Sequence, residues 1–142
     1  MVVVQHVNPE EMHSNPAFSQ AVVVEGPART IYVGGQNAVA ADGSIVGGGD
    51  LAAQTEQVFA NLETVLRAAG ATIHDVIKWT FYVVQGHDIL PGVAVSQRVW
   101  GQRPNPPAIT VAFVAGLAHP EFLVELEAIA VTGTGGADDD RA

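Results

Sequence analysis

The sequence predicts an α+β fold in which two helices cover one face of a mixed β-sheet. Short runs of β-branched and aromatic residues recur along the chain and read as strands. Two segments in which apolar residues follow helical spacing lie between those runs. The predicted order is β-β-(β)-α-β-α-β-β, so the helices alternate with strands and can pack on the same side of the sheet.

The first two strands are predicted to form a hairpin. β-Branched runs occupy Ala21–Val24 and Thr30–Val33, and the EGPAR link between them contains a Gly-Pro turn. The stretch GGQNAVAADGSIVGGGD follows and includes the turn dipeptide Asp42-Gly43. We expect it to form an extended edge segment and a loop.

The sequence evidence for the first predicted helix is stronger than that for the second. The first begins after the N-cap Asp50 and ends at Gly70, a typical C-terminal stop. The second runs from about Asp88 to Trp100, with Pro91 tolerated in its first turn. The predicted buried face of the first helix consists of Leu51, Thr55, Val58, Phe59, Leu62, Val65, Leu66 and Ala69.

Three further strands complete the predicted sheet: Val76–Val84, Ala108–Val114 and Phe122–Val131. The last of them, FLVELEAIAV, contains Glu125 and Glu127 in an otherwise apolar run. Because side chains of a strand alternate between faces, these two carboxylates share one face. Paired carboxylates can serve as acid and base, or one can face a site while the other makes structural contacts.

The composition excludes several classes of function. The 15 acidic and 6 basic residues give a formal net charge of -9, and the six cations are scattered. A nucleic-acid partner is therefore not expected, because such a surface needs clustered cations to neutralise phosphates. The chain has no cysteine, and its five histidines lack the spacing of zinc motifs, so no metal is expected.

The length and hydropathy of the chain limit how it can be organised. No apolar run approaches a membrane span and MVVVQ lacks the regions of a signal peptide, so we expect a cytoplasmic protein without a membrane partner. One domain is predicted over residues 1–131, and the tail 132–142 is expected to be disordered. Charged residues make up only 15% of the chain, which favours a buried subunit interface.

Several separated motifs resemble one protein family. They are VGGQ, AGATIHDVIKWTFYVV and PPAITVAFVAGLAHPEFLVELEAIAV, which occur in the family's order. From about Phe18 to Val131 the chain resembles the YjgF/Rid family, the reactive intermediate deaminases, also described as endoribonuclease L-PSP. The resemblance implies a chorismate-mutase-like subunit and a homotrimer around a central β-barrel, with small-molecule pockets between subunits.

The resemblance also implies a chemistry. Active members hydrolyse enamines and imines formed from amino acids, without a metal or an organic cofactor. An arginine clamps the substrate carboxylate and a glutamate holds the attacking water. Glu125 matches that glutamate, and Gly35 and Val111 match positions that offer main-chain groups. Ile109 occupies the place of the arginine and cannot bind a carboxylate.

Three more positions of the implied substrate pocket depart from the family pattern. Phe18 replaces a tyrosine, Gly34 replaces a serine, and Val93 falls near an asparagine of the family. The pocket is therefore expected to be more apolar than usual. Arg103, in the Pro-rich loop, can in principle supply the missing cation, although its position before Pro104 predicts exposure to solvent.

These departures leave three hypotheses for function. The protein can be an imine or enamine hydrolase of altered specificity, in which Glu125 acts on a neutral, more hydrophobic substrate. It can instead be a non-catalytic trimer that binds a small apolar metabolite. The third hypothesis is a vestigial pocket, in which Glu125 accepts hydrogen bonds only from the backbone or from Thr110. A conserved fold alone does not choose among them.

Overall fold

The computed structural model describes residues 1–134 and has the predicted α+β architecture, with two helices packed on a mixed sheet. A single 3₁₀ turn, Ile73–Asp75, precedes the fourth strand. The helices and strands, in chain order, are β1 (Val3–Val7), β2 (Ala21–Glu25), β3 (Ala28–Gln36), α1 (Leu51–Ala68), β4 (Val76–Val84), α2 (Leu90–Trp100), β5 (Ala108–Val114) and β6 (Val124–Gly133).

The main sheet has four strands in the order β3-β6-β4-β5. β6 is antiparallel to both of its neighbours, whereas β4 and β5 are parallel. Because parallel neighbours need a long crossover, α2 connects β4 to β5. This crossover brings α2 and the loop after it to the β5 edge of the sheet.

The predicted N-terminal hairpin is wrong. β2 pairs with β1, which the sequence analysis did not identify as a strand, and the two form a separate antiparallel ribbon. β3 pairs with β6 instead. Gly26 does adopt the left-handed φ of 89° that a turn can require, but a turn fixes only the chain reversal and does not determine which strand becomes the partner. The expected edge segment contributes one isolated bridge, between Val39 and Ile45.

α1 has the predicted ends. Asp50 caps its first turn, with Oδ1 accepting a hydrogen bond from Ala53 N at 3.1 Å. Gly70 follows the helix with a φ of 81° and so provides the predicted stop. Its buried face differs from the prediction at three positions, because Gln54 is fully buried, Val65 is 37% exposed, and Ala69, the C-cap, is only partly buried.

Gln54 is buried because its amide satisfies backbone groups of two loops. Its Oε1 accepts a hydrogen bond from Leu123 N at 2.8 Å. Its Nε2 donates to Glu121 O at 2.8 Å and to Gly47 O at 3.2 Å. One side chain of α1 therefore fixes the entry into β6.

The other element ends differ slightly from the prediction. α2 begins at Leu90, and Asp88 accepts a hydrogen bond from Leu90 N at 3.0 Å in front of it. β6 begins at Val124 rather than Phe122 and continues to Gly133. The extension is stabilised by Thr132, which is buried and accepts a hydrogen bond from the guanidinium of Arg29. The rest of the predicted disordered tail, residues 135–142, lies outside the described residues.

α1 packs on one face of the sheet through aromatic contacts. The ring of Phe59 lies 5.3 Å from that of Trp79 and 5.8 Å from that of Phe81. The opposite face of the sheet has no helix over it in residues 1–134. Within this described range, neither helix combines the length and apolar character needed to cross a membrane.

Candidate functional site

The sheet register separates the predicted site residues onto two faces. Ile109 pairs with Trp79, which is buried beneath the helices, so Ile109 faces the helix side. Glu125 pairs with Tyr82, which lies on the opposite, open face of the sheet. Cross-strand partners share a face. Within one chain, therefore, the side chains of Ile109 and Glu125 cannot enter the same pocket.

A cavity of about 1000 Å³ lies on the helix side, at the edge formed by β5. It brings together four of the predicted positions, Phe18, Val93, Ile109 and Val111. Aromatic and aliphatic side chains dominate the rest of its lining, which includes Leu51, Trp79, Phe81, Val83, Ile89 and Trp100. The sequence predicts a pocket of apolar character at these positions, and the lining of this cavity is mainly apolar.

Phe18 reaches the cavity because its neighbour, Ser19, is hydrogen-bonded to the segment before β5. Ser19 N donates to Pro107 O at 3.0 Å, and Ser19 Oγ donates to Pro106 O at 2.5 Å. His6 Nδ1 lies 2.8 Å from the same hydroxyl. These contacts place Phe18 beside β5, although it is far from that strand in the sequence.

Glu125 on the open face is held by one side-chain hydrogen bond. Asn37 Nδ2 donates to Glu125 Oε1 at 3.2 Å. Asn37 is itself fixed, because its carbonyl oxygen accepts a hydrogen bond from Asn61 Nδ2 at 3.0 Å. Within residues 1–134, Glu125 Oε2 has no hydrogen-bond partner, so the half-buried carboxylate has one oriented oxygen and one available oxygen.

Gly35 lies directly against this carboxylate. A methyl group at position 35 would lie 2.7 Å from Glu125 Cδ and would overlap Oε2. The ladder between β3 and β6 is irregular here, between Val33 and Gln36, so Gly34 and Gly35 have no register partner on β6. The absence of a side chain at position 35 therefore makes room for the carboxylate of Glu125.

Glu127, the second carboxylate of β6, has a structural partner. The hydroxyl of Tyr82 donates to Glu127 Oε1 at 2.7 Å, and this hydrogen bond raises the pKa of the tyrosine. Thr110, considered as a donor to Glu125, instead accepts a hydrogen bond from Lys78 Nζ at 2.5 Å. Each acid therefore uses one oxygen in a side-chain hydrogen bond, and Glu125 is distinguished by its amide donor Asn37 and by its position against Gly35.

The structure therefore brings the predicted residues together in two groups. Phe18, Val93, Ile109 and Val111 line the cavity, whereas Gly35 and Glu125 meet on the open face. Gly34 borders a shallow hollow on that face, together with Lys78, Thr80 and Glu127.

The sequence did not identify Asn37 as a site residue, because an asparagine just after a strand is typical of a loop. Its contact with a glutamate 88 positions away becomes visible only in the fold. In the described part of the chain, no group of three or more His, Cys, Asp or Glu side chains is arranged to hold a metal ion.

Comparisons with known proteins identify relatives over most of the chain. The family model described as Endoribonuclease L-PSP matches residues 9–132. A 2-iminobutanoate/2-iminopropanoate deaminase of Rattus norvegicus is 36% identical over 118 residues, which cover 82% of this chain and 81% of the relative.

Solved structures resemble this fold closely. A Rid-family protein of unknown function from Yersinia pestis, YyfB, has a TM-score of 0.79 and 41% identity, covering 89% of this chain and 97% of that one. E. coli TdcF with bound serine has a TM-score of 0.65 and 26% identity, covering 72% and 80% of the two chains.

Proposed function

The chain belongs to the YjgF/Rid family, described by its family model as endoribonuclease L-PSP, and we propose from this premise that it hydrolyses reactive imine or enamine intermediates. The observation that carries the proposal is the carboxylate of Glu125, which Asn37 orients through Oε1 while Oε2 stays available. The relative from Rattus norvegicus, named as a deaminase of 2-imino acids, supports this class of reaction.

The proposed reaction needs only water and one carboxylate. The imine nitrogen first takes a proton from solvent, and Glu125 Oε2 then accepts a proton from a bound water as the water oxygen forms a bond to the C=N carbon. Glu125 returns this proton to the nitrogen of the carbinolamine, the C–N bond breaks as the carbinolamine hydroxyl gives its proton back to solvent, and ammonia leaves. An imine and water thus give a carbonyl compound and ammonia. An enamine enters the same sequence after protonation of its carbon to the imine.

We propose that the complete site forms between copies of the chain. The cavity with Ile109 and the carboxylate of Glu125 lie on opposite faces of one sheet, so the open face of one subunit has to meet the cavity of the next. Large exposed side chains on the two surfaces support such a contact, since Tyr32 is 78%, Phe113 51% and Val111 47% exposed. The family resemblance implies a homotrimer with a central β-barrel.

A trimer predicts a mass in solution of three times the 14.8 kDa of one chain. Sedimentation equilibrium at micromolar concentration measures this mass directly. The mass of a single chain under those conditions would contradict the proposed assembly.

The intersubunit site can be tested separately by mixing two inactive variants. Glu125→Gln removes the carboxylate and Val93→Trp fills the cavity, so neither variant alone should turn over an imine. Co-refolding of equal amounts should restore about a quarter of the sites, because that share of interfaces pairs an intact carboxylate with an intact cavity. If the two residues served one site within a single chain, mixing would restore no activity.

The isoleucine at position 109, where the family has an arginine, predicts a change in substrate specificity. We expect the wild-type protein to hydrolyse small 2-imino acids slowly, because no cation lies at position 109 to bind a carboxylate next to the C=N carbon. Ile109→Arg should raise that rate at least tenfold. The assay generates imines from amino acids with an oxidase and follows their loss, with apolar and acidic amino acids compared.

The outcomes of this assay separate the hypotheses. A high wild-type rate with 2-iminopropanoate would contradict the specificity prediction. If no imine is hydrolysed faster than in buffer while aromatic or aliphatic carbonyl compounds still bind, the protein is a non-catalytic binding module.

A further inference from the structure

The cavity on the helix side is bordered by positively charged side chains, although the chain as a whole is acidic. The chain contains 15 acidic and 6 basic residues, yet among the described residues two cations, Arg98 and Arg103, border the cavity and no Asp or Glu does. Arg98 forms an ion pair with Glu56 outside the cavity. Arg103 has no such carboxylate partner in residues 1–134. Counted over residues 1–134, the border of the cavity therefore has one uncompensated positive charge.

Arg103 is positioned by the last residue of α2. Its Cζ lies 5.8 Å from the centroid of the Trp100 ring, a cation–π distance. Trp100 Nε1 in turn donates to Arg103 O at 3.0 Å, which holds the loop against the helix. Arg103 is exposed, as the sequence predicts, but the contacts with Trp100 keep its guanidinium at the rim of the cavity.

The floor of the cavity is apolar and aromatic. Ile109 and Val111 of β5 lie beside Trp79 and Phe81 of β4. The indole Nε1 of Trp79 is buried and has no hydrogen-bond partner within the described residues. The floor thus suits the body of an apolar ligand, and among the lining residues that the structure describes the cation at the rim is the one uncompensated charge.

We propose that this cavity binds an amphiphilic anion, with an aromatic or aliphatic body on the floor and a carboxylate on the guanidinium of Arg103. A guanidinium binds a carboxylate through two parallel hydrogen bonds. The anchor for the anion is then at the rim, rather than on the sheet where Ile109 stands. This proposal rests on the proposed function in one respect, because it treats the cavity as half of the active site. The carboxylate of the ligand would then lie at the rim, away from the reacting C=N carbon.

A direct binding experiment tests this assignment. The chain has two tryptophans, and both line the cavity, so intrinsic fluorescence reports its occupation. The probes are 4-phenylbutanoate and the neutral 4-phenylbutanamide, which have nearly the same shape. We expect the carboxylate to bind about tenfold more tightly than the amide. Arg103→Gln should remove this preference, and Arg103→Lys should keep part of it.

Arg67→Gln is the matched control, because it removes the same charge from an exposed position of α1 outside the cavity. It should leave the preference for the carboxylate unchanged. A preference that survives Arg103→Gln, or an amide that binds as tightly as the carboxylate, would overturn the proposal. Neither probe reacts, so a protein that hydrolyses no imine but still prefers the carboxylate contradicts only the catalytic proposal, whereas hydrolysis without this preference contradicts only the binding proposal.

Discussion

Glu125→Gln should lower kcat for imine hydrolysis by about a hundredfold or more and leave the thermal stability of the protein almost unchanged. The amide has nearly the same shape, so it fits against Gly35 as the carboxylate does, but it cannot accept a proton from water. Asn37 can still donate to the remaining carbonyl oxygen. The measurement is the rate of loss of an oxidase-generated apolar imine, with thermal melts recorded for both proteins.

Glu127→Gln is the matched control on the same strand and the same face. This residue accepts a hydrogen bond from Tyr82 and has no role in the proposed reaction. We expect its kcat to stay within about twofold of wild type, since a glutamine oxygen can still accept from the tyrosine. Equal losses of kcat in both variants would mean that the overall negative charge of this sheet face, rather than Glu125 itself, supports the reaction. An unchanged kcat in Glu125→Gln would exclude Glu125 as the base.

Much of the fold could be predicted from local sequence signals. The N-cap Asp50 and the stop at Gly70 define α1, and the β-branched and aromatic run over Val76–Val84 has the bounds of β4. The alternation in FLVELEAIAV correctly places Glu125 and Glu127 on one face of β6. These features depend on neighbouring residues, so periodicity and capping chemistry are sufficient to identify them.

The candidate site could be predicted only in part, because its geometry depends on strand register. Matching of motifs to the family predicts that Glu125 and Ile109 belong to one pocket. The register of β5 on β4 and of β4 on β6 places their side chains on opposite faces. Such long-range pairing is not encoded in any short segment, so only the structure supplies this support for the proposed site between two copies, which the family resemblance also implies.

Gln54 shows the same limit within a helix. In the sequence it is a polar residue among apolar neighbours, and polar residues usually face solvent. In the fold it is fully buried, because three backbone groups of two loops, one just before α1 and one before β6, need partners at that point. Its role depends on loops that the helical pattern does not describe.

Gln54→Leu should destabilise the protein by about 3 kcal/mol, the largest stability effect that we expect for a single polar side chain here. The leucine would leave the N–H of Leu123 and the carbonyl oxygens of Glu121 and Gly47 without their side-chain partner. Each buried group that loses its partner costs about 1–3 kcal/mol, and the burial of leucine offsets part of this cost. Urea unfolding at equal protein concentrations measures the difference.

Gln57→Leu is the appropriate control, since it makes the same change one turn later on α1. Gln57 is half-buried and its amide donates only to Asn61 Oδ1, so the expected change is within about 0.5 kcal/mol. Similar destabilisation by both variants would show that helix propensity, rather than the loop hydrogen bonds, causes the effect. Because Gln54 holds the backbone of Leu123, two residues before Glu125, its replacement should also lower kcat under conditions where the variant remains folded. Gln57→Leu should lower kcat less, because Gln57 is linked to Glu125 only indirectly, through Asn61 and Asn37.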